Sequence, residues 1–153
     1  RLPLMEIGQV VENFSAIDQH GEKVDLTDLL EGGRVVLFFY PRASSPGWTR
    51  ESSYFRDLAS EFELLDSQPV GISADQFDRQ KEFDEANNLG FTLLSDVKSK
   101  IAKYFGVKRV GPLGIKRQTF VIDVDRKILG VIASETNMKI HADRALQILQ
   151  TND

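Results

Sequence analysis

Two runs of mostly apolar residues, at 34–40 and 69–73, mark the centre of the predicted fold. Each run has the length of a strand, and continuous apolar character is typical of strands that are covered on both faces. Two pairs of segments flank short polar turns, which predicts two hairpins: residues 14–17 with 23–26, and 119–123 with 128–133. The strands therefore come as a hairpin, two central strands and a second hairpin.

The segments between and after these strands have apolar residues at helical spacing. One stripe runs along residues 48–65 and consists of Trp48, Phe55, Leu58, Ala59, Phe62 and Leu65. Residues 76–88 and 99–105 also predict helices, each stopped near a glycine, and residues 140–150 predict a closing helix. This order predicts an α/β sandwich in which helices flank a mixed sheet, with parallel neighbours inside and an antiparallel hairpin at one side.

Composition limits what such a sandwich can do. The 153 residues suffice for one domain over 1–153, and we interpret RLPL before Met5 as a cloning remnant or a leader. A net charge of −4 argues against a nucleic-acid partner. The longest apolar run, VVLFFY, is too short to cross a membrane. With no cysteine and only two histidines, we expect no metal and no cofactor.

The junction at residues 38–57 is the most informative stretch of the chain. A predicted strand stops at Pro41, a polar loop follows, and Pro46-Gly47 opens a predicted helix. The amino end of a helix directs free amide groups and a positive dipole outward, which suits a thiolate, an oxyanion or a phosphate. The first turn nevertheless carries Trp48, which has no nucleophilic atom.

The sequence of this junction, FFYPRASSPGWTRESSYFRD, resembles the peroxiredoxin signature P-x-x-x-[TS]-x-x-C, with tryptophan in place of cysteine. Its flanking residues are similar to those of the bacterioferritin-comigratory, or type Q, branch. Further similar segments are VVENFSAIDQHGEKVDL, VGISADQFDRQKEF, FTLLSD, KYFGVKR, KRQTFVID and HADRALQIL. The resemblance covers nearly the whole chain, and it implies a thioredoxin-like fold with an added N-terminal hairpin.

The resemblance also implies roles for individual residues. Position 48 would hold the peroxidatic cysteine, whose thiolate attacks a hydroperoxide. Ser45 would hydrogen-bond the peroxide, and Arg117 would stabilise the thiolate and the negative charge that develops as the bond breaks. Pro41 would shield the pocket, Glu51 would orient the arginine, and Gly47 would belong to the substrate-binding loop.

Ser53 stands where many type Q members carry the resolving cysteine. Five residues of α-helix advance about 7.5 Å and turn by about 140°, whereas the Cα atoms of a disulfide lie within about 7 Å of each other. Cysteines at positions 48 and 53 could therefore bond only after the first helical turns unwind. The resemblance implies thioredoxin or a similar dithiol as the reductant, and it favours a monomer in the cytoplasm.

The chain departs from the family at both decisive positions. Because it has no cysteine, the family mechanism cannot operate, and neither an indole nor a serine hydroxyl replaces a thiolate. We interpret the chain as an engineered, inactive variant with Trp48 and Ser53 in place of the two cysteines, since the supporting residues persist. The alternatives are a natural pseudoenzyme that binds or senses a ligand, and a thioredoxin-fold interaction domain without a redox role.

Each of these residues also has an ordinary structural interpretation. Trp48 could be a core anchor on its helical stripe, Arg117 a surface ion-pair partner and Ser53 a residue of the helix surface. Ser45 could cap the helix, and Glu51 could interact with the helix dipole. The surrounding motifs favour the site interpretation for Trp48 and Arg117.

Trp48 raises a question of conformation, because an indole is much larger than a thiol and packed interiors do not absorb such an excess freely. The indole could stay inward and displace Pro41 or Arg117. Alternatively, the first helical turns could unwind and swing it away. We predict the second outcome, with residues 48–54 unwound, because a disulfide between positions 48 and 53 would need the same unwinding.

Overall fold

The computed structural model describes residues 5–43 and 45–153, so the proposed leader at residues 1–4 lies outside the described residues. Within them, one seven-stranded sheet has the order β2-β1-β5-β4-β3-β6-β7. Its strands are β1 Ser15–Asp18, β2 Lys23–Asp25, β3 Arg34–Phe39, β4 Ser67–Ser73, β5 Thr92–Ser95, β6 Gln118–Ile122 and β7 Ile128–Ala133.

β3 lies at the centre of this sheet and is buried along its whole length, as its continuous apolar run predicts. It pairs in parallel with β4, where Leu37 lies opposite Val70, and antiparallel with β6, where Leu37 lies opposite Phe120. β4 pairs in parallel with β5. The predicted mixed sheet with parallel neighbours inside is therefore confirmed.

The edges of the sheet differ from the prediction. The sequence pattern gave no strand at residues 92–95, because this four-residue strand belongs to no hairpin and lacks the adjacent turn that marks β1 and β2. This strand, β5, pairs antiparallel with β1, with Ile17 opposite Ser95. An antiparallel hairpin therefore closes each edge of the sheet, β1–β2 at one and β6–β7 at the other.

The helices are α1 Leu26–Leu30, α2 Pro46–Asp57, α3 Ala59–Leu64, α4 Phe77–Asn87, α5 Lys100–Tyr104 and α6 Lys139–Thr151. The single helix predicted over residues 48–65 is wrong, since the backbone of Leu58 (φ −99°, ψ 12°) interrupts it. The interruption turns α3 against β4, where the carbonyl of Phe62 accepts a hydrogen bond from Ser67. The pattern also missed the short α1, which Asp25 and Asp28 start with a capping box.

Apolar side chains form two cores, one on each face of the sheet. Alternation along β3 assigns Val35, Leu37 and Phe39 to the first core and Val36, Phe38 and Tyr40 to the second. The second core lies under α2 and α6, and it contains Trp48. The candidate site is therefore built on the side of the second core.

Candidate functional site

The candidate site lies where β3 ends and α2 begins. Pro41 follows the strand and is half-buried, and Ser45 occupies the N-cap position of α2 with an extended backbone (φ −72°, ψ 143°). The loop between them is held in place because the amide of Ala43 donates to Asp75 Oδ2 at 2.7 Å. Ser73 Oγ donates to the same carboxylate at 2.7 Å, so the end of β4 anchors the loop.

The hydroxyl of Ser45 contacts Arg117 and does not cap the helix α2. It donates to the carbonyl of Arg42 at 3.0 Å and accepts from Arg117 Nη2 at 3.4 Å. It makes no capping hydrogen bond to α2 within the described part of the chain. The capping interpretation therefore holds for the backbone position of Ser45 and not for its side chain.

Arg117 precedes β6 and lies across the first turn of α2. Its guanidinium is so close to Gly47 that a Cβ added to that glycine would lie 2.8 Å from Nη2. The Arg117 side chain is 11% exposed, so it is not the surface ion-pair partner of the ordinary interpretation. The first turn of α2 also leaves the amides of Gly47 and Trp48 without intrahelical acceptors. A guanidinium, a hydroxyl and a helix dipole thus meet at one place, which suits an anionic or peroxidic oxygen.

Glu51 lies one turn further along α2 and is fully buried. Its Oε1 lies 3.9 Å from Arg117 Nη1, and its Oε2 lies 3.8 Å from His141 Nδ1. Neither carboxyl oxygen has a hydrogen-bond partner among the described residues. Burial raises the pKa of Glu51 to about 8, with Arg117 opposing the rise and Glu135 adding to it. Glu51 is therefore near Arg117, but at a separation too long for a hydrogen bond.

His141 completes this interior, and sequence reasoning gave it no role. Its Nε2 lies 2.9 Å from the carbonyl of Ser134, and its Nδ1 lies 2.8 Å from Thr119 Oγ1. Since a carbonyl can only accept, Nε2 carries the proton and Nδ1 accepts from the threonine hydroxyl. Burial lowers the pKa of His141, so the ring is kept neutral. No local motif indicates this placement, because it depends on α6 packing against α2.

Trp48 lies in a regular helix and points into the second core. α2 is helical from Pro46 to Asp57, and Trp48 has no exposed surface. Its ring stacks on Tyr40 with centroids 3.5 Å apart and planes 3° apart, and it lies 4.9 Å from Phe38 and 5.6 Å from Phe83. The prediction that residues 48–54 unwind is therefore wrong.

The aromatic core explains why α2 stays folded. Burying an indole among aromatic rings removes a large apolar area from water and adds favourable stacking. The contact between Arg117 and Ser45 persists beside it, so the indole does not take the space of the arginine. Burial of the indole also has an energetic cost, because Trp48 Nε1 has no hydrogen-bond acceptor within the described range.

Ser53 lies on the same helix but is not brought towards Trp48. Its hydroxyl donates to the carbonyl of Thr49 at 2.9 Å, which is the usual behaviour of a serine inside a helix. With α2 intact, positions 48 and 53 do not meet the geometry of a disulfide. The structure therefore holds the two positions apart.

A buried polar network connects Tyr40 to the loop of the site. The Tyr40 hydroxyl donates to Gln80 Oε1, and Gln80 Nε2 donates to Ser73 Oγ at 3.1 Å and to the carbonyl of Leu94 at 2.9 Å. Burial raises the pKa of Tyr40, so its phenol remains protonated. Because Ser73 also binds Asp75, the network links the ring beneath Trp48 to the loop before α2.

A mixed α/β sheet with its site at the amino end of α2 defines a thioredoxin-like protein. The chain belongs to the AhpC/TSA family, which it matches over residues 7–131. A putative peroxiredoxin of Mycobacterium tuberculosis is 49% identical over 150 residues, covering 95% of this chain and 97% of that protein.

Solved structures agree with this placement. Peroxidoxin BcpB from Mycobacterium tuberculosis superposes with a TM-score of 0.93 at 48% identity, covering 97% of this chain and 99% of that chain. A mutant of PrxQ from Xylella fastidiosa superposes with a TM-score of 0.89 at 25% identity, covering 98% of each chain. The resemblance to type Q peroxiredoxins and the thioredoxin-like α/β fold are therefore confirmed.

Two further findings concern membranes and metals. No helix in residues 5–43 and 45–153 is long and apolar enough to cross a membrane. The same residues do not bring three or more histidine, cysteine, aspartate or glutamate side chains together in a way that could hold a metal ion.

Proposed function

We propose that this chain is a catalytically silent peroxiredoxin, in which engineered replacements put Trp48 and Ser53 where a thiol-dependent hydroperoxide reductase has its two cysteines. The observation that carries the proposal is the state of the site. Trp48 is buried at the first turn of α2, yet Arg117 still lies over Gly47 and hydrogen-bonds Ser45. These contacts support the proposal that the parent protein has a thiolate at position 48.

This geometry supports a hydroperoxide reductase reaction in the parent protein. A thiolate at position 48 would be stabilised by the amide groups of the first helical turn and by Arg117. It would attack the terminal oxygen of a hydroperoxide, so that a sulfur–oxygen bond forms and the oxygen–oxygen bond breaks. The leaving alkoxide or hydroxide would take up a proton, and the sulfur would become a sulfenic acid.

The second half of the cycle needs a second thiol and a reductant. A thiol at position 53 would attack the sulfenic sulfur and release water, and α2 would have to unwind for the disulfide to form. Thioredoxin or a similar dithiol would then reduce the disulfide. We propose this cycle for the parent protein, acting as a monomer. The chain described here enters none of its steps, because it has no cysteine.

A natural pseudoenzyme is the second candidate, and the packing of Trp48 favours it. The indole fits among Phe38, Tyr40 and Phe83 while α2 remains intact. A protein with this substitution is therefore well packed, and the contact between Arg117 and Ser45 is kept. The sequence of the native gene at codons 48 and 53 distinguishes an engineered variant from a natural one.

The double revertant Trp48→Cys/Ser53→Cys tests the enzymatic lineage. We expect it to consume hydrogen peroxide in a coupled assay with thioredoxin, thioredoxin reductase and NADPH. The unsubstituted chain and the single variant Ser53→Cys serve as controls, and neither should show activity. A folded but inert double revertant would contradict the proposal and would leave a binding role as the better account.

A further inference from the structure

Within the described residues, a groove at one edge of the sheet shares no lining residue with the candidate site. This edge groove has a volume of about 390 Å³ and is lined by residues of β1, β2, β5 and the segment 96–101 that follows β5. Lys23, Ile17 and Ser95 lie directly opposite one another on β2, β1 and β5. Directly opposite residues present their side chains on the same face of a sheet. An ammonium, an apolar chain and a hydroxyl therefore form one row across three strands.

Ser95 contributes a hydroxyl that has no partner in the described part of the chain. The residue is 8% exposed and lines the edge groove, and its Oγ makes no hydrogen bond to a described residue. Ser15, which lines the same groove, instead donates its hydroxyl hydrogen to Asp25. Because an unpaired buried hydroxyl is unfavourable, a ligand that accepts from Ser95 would supply a missing interaction.

Three lysines give the edge groove a positive charge. Lys23 lies on β2, on the far side of β1 from Lys98 and Lys100, which follow β5. All three are exposed, and none forms an ion pair with a described residue. The carboxylate that lines the groove belongs to Asp96, and its two oxygens accept amides of α5 at 3.1 and 2.9 Å. In a chain with a net charge of −4, this local excess of positive charge favours an anionic ligand.

Apolar side chains supply much of the remaining lining. Ile17 is 38% exposed and Val97 is 54% exposed. The edge groove adjoins a second cavity of about 250 Å³ at Ile101, which lines both, and Phe14 and Tyr104 line the second cavity. Sites for small molecules typically have volumes of about 300–1,000 Å³ and combine an apolar lining with a few polar groups. The edge groove meets this description, so its chemistry fits a small anion with an apolar body.

We propose that the edge groove binds a small organic anion, whose carboxylate or phosphate group lies between Lys23 and the lysines of residues 98–100 and accepts from Ser95. The apolar body of this ligand packs on Ile17 and Val97 and extends towards the second cavity. An ammonium interacts with either anionic group as a point charge, so both head groups are compared in the test. Binding in this groove is independent of the proposed function, because it requires neither the candidate site nor a thiol.

Nuclear magnetic resonance titration of the isotopically labelled chain with octanoate tests the proposal, with octyl phosphate and octanol compared in separate titrations. We expect the amide signals of Ile17, Ser95 and Val97 to move and to saturate with both anions. The anion that binds more tightly identifies the preferred head group. Octanol carries the same chain without a charge, and it should bind at least about fivefold more weakly because the contacts with the ammonium groups are lost.

Substitutions of the lysines and of Ser95 test the contacts. The double variant Lys98→Gln/Lys100→Gln should weaken octanoate binding by about fivefold or more and leave octanol binding unchanged. Lys103→Gln is the matched control, because Lys103 is an exposed lysine of α5 that lines neither cavity, and it should leave octanoate binding unchanged. Ser95→Ala should also weaken octanoate binding, because the hydroxyl donor is lost.

Four results would overturn the proposal. The anions could produce no saturable shift in the edge groove. Octanol could bind as tightly as the anions, which would show an apolar surface that does not recognise charge. Lys103→Gln could weaken octanoate binding as much as the double variant does. The anions could instead shift only the amides of Gly47 and Arg117, which would place the anion site at the start of α2.

Discussion

Truncation of Trp48 should destabilise the protein strongly, because Trp48 is part of the second core. The indole is fully buried and contacts the rings of Tyr40, Phe38 and Phe83. Trp48→Ala would leave a cavity in this core, and such truncations lower the free energy of unfolding by about 3–5 kcal/mol. Each lost aromatic pair accounts for about 0.5–1.5 kcal/mol beyond the loss of buried area.

Trp48→Phe provides the informative comparison. It keeps a ring among the aromatic side chains and removes the Nε1–H group, which has no acceptor within the described part of the chain. We expect a loss below about 1.5 kcal/mol, so the alanine variant should be less stable than the phenylalanine variant by about 2 kcal/mol or more. Phe77→Ala is the control for truncation of an aromatic ring, because Phe77 is 45% exposed.

Urea unfolding followed by far-ultraviolet circular dichroism is the appropriate assay. Fluorescence cannot compare these variants, because Trp48 is the only tryptophan in the chain. A loss below about 1 kcal/mol for Trp48→Ala would refute the reasoning, since it would be typical of an exposed side chain. That result would instead match a helix whose first turns are unwound, as the sequence alone predicted.

Three more predictions concern Gly47, Glu51 and Arg34. Gly47→Ala should displace the guanidinium of Arg117, because the new Cβ would lie 2.8 Å from Nη2. The nuclear magnetic resonance signals of the Arg117 amide and Nε–H group should therefore move. The free energy of unfolding, measured in urea, should change by less than about 1 kcal/mol. Burial raises the pKa of Glu51 from its ordinary value of 4.5 to about 8, so the stabilising contribution of its neutral form is complete below pH 4.5 and is lost as the pH rises through about 8. Urea unfolding at several pH values should show this decline, on the order of 5 kcal/mol, and Glu51→Gln should remove it. Arg34 is buried and donates to carbonyls at the ends of α3 and α6, so Arg34→Ala should lower the free energy of unfolding by about 2–3 kcal/mol. Arg56 is partly exposed, and the control Arg56→Ala should lower it by about 1 kcal/mol or less. Equal losses for the two variants would contradict the reasoning.

The central strands and the order of elements could be predicted from the sequence because burial on both faces leaves a local signature. The apolar run that became β3 is the clearest case. β5 could not be predicted in the same way, since it is short and pairs in parallel with β4, so that no hairpin turn marks it. The interruption at Leu58 also escaped the pattern, because the apolar stripe continues across it and only the backbone angles change.

The candidate site also contains residues that local sequence indicates and residues that only the fold brings together. Motif spacing indicated that Ser45 and Arg117 belong to one site, and the structure places them in contact. The role of His141 is set by packing between α2 and α6, so its sequence neighbourhood gives no signal. The conformation of Trp48 was predicted wrongly because the aromatic core that accepts the indole has no local signature in the sequence. Phe38, Tyr40 and Phe83 come from distant parts of the chain, and only the fold brings them together.

The most direct test of the central claim is whether position 48 can act as the site of peroxide attack. Trp48→Cys should be treated with one equivalent of hydrogen peroxide, and the product trapped with a sulfenic-acid reagent and located by peptide mass spectrometry. We predict rapid trapping at position 48, and much slower trapping in Ser53→Cys, because the Ser53 side chain is directed to the carbonyl of Thr49 inside α2. A folded Trp48→Cys protein that reacts no faster than Ser53→Cys would contradict it.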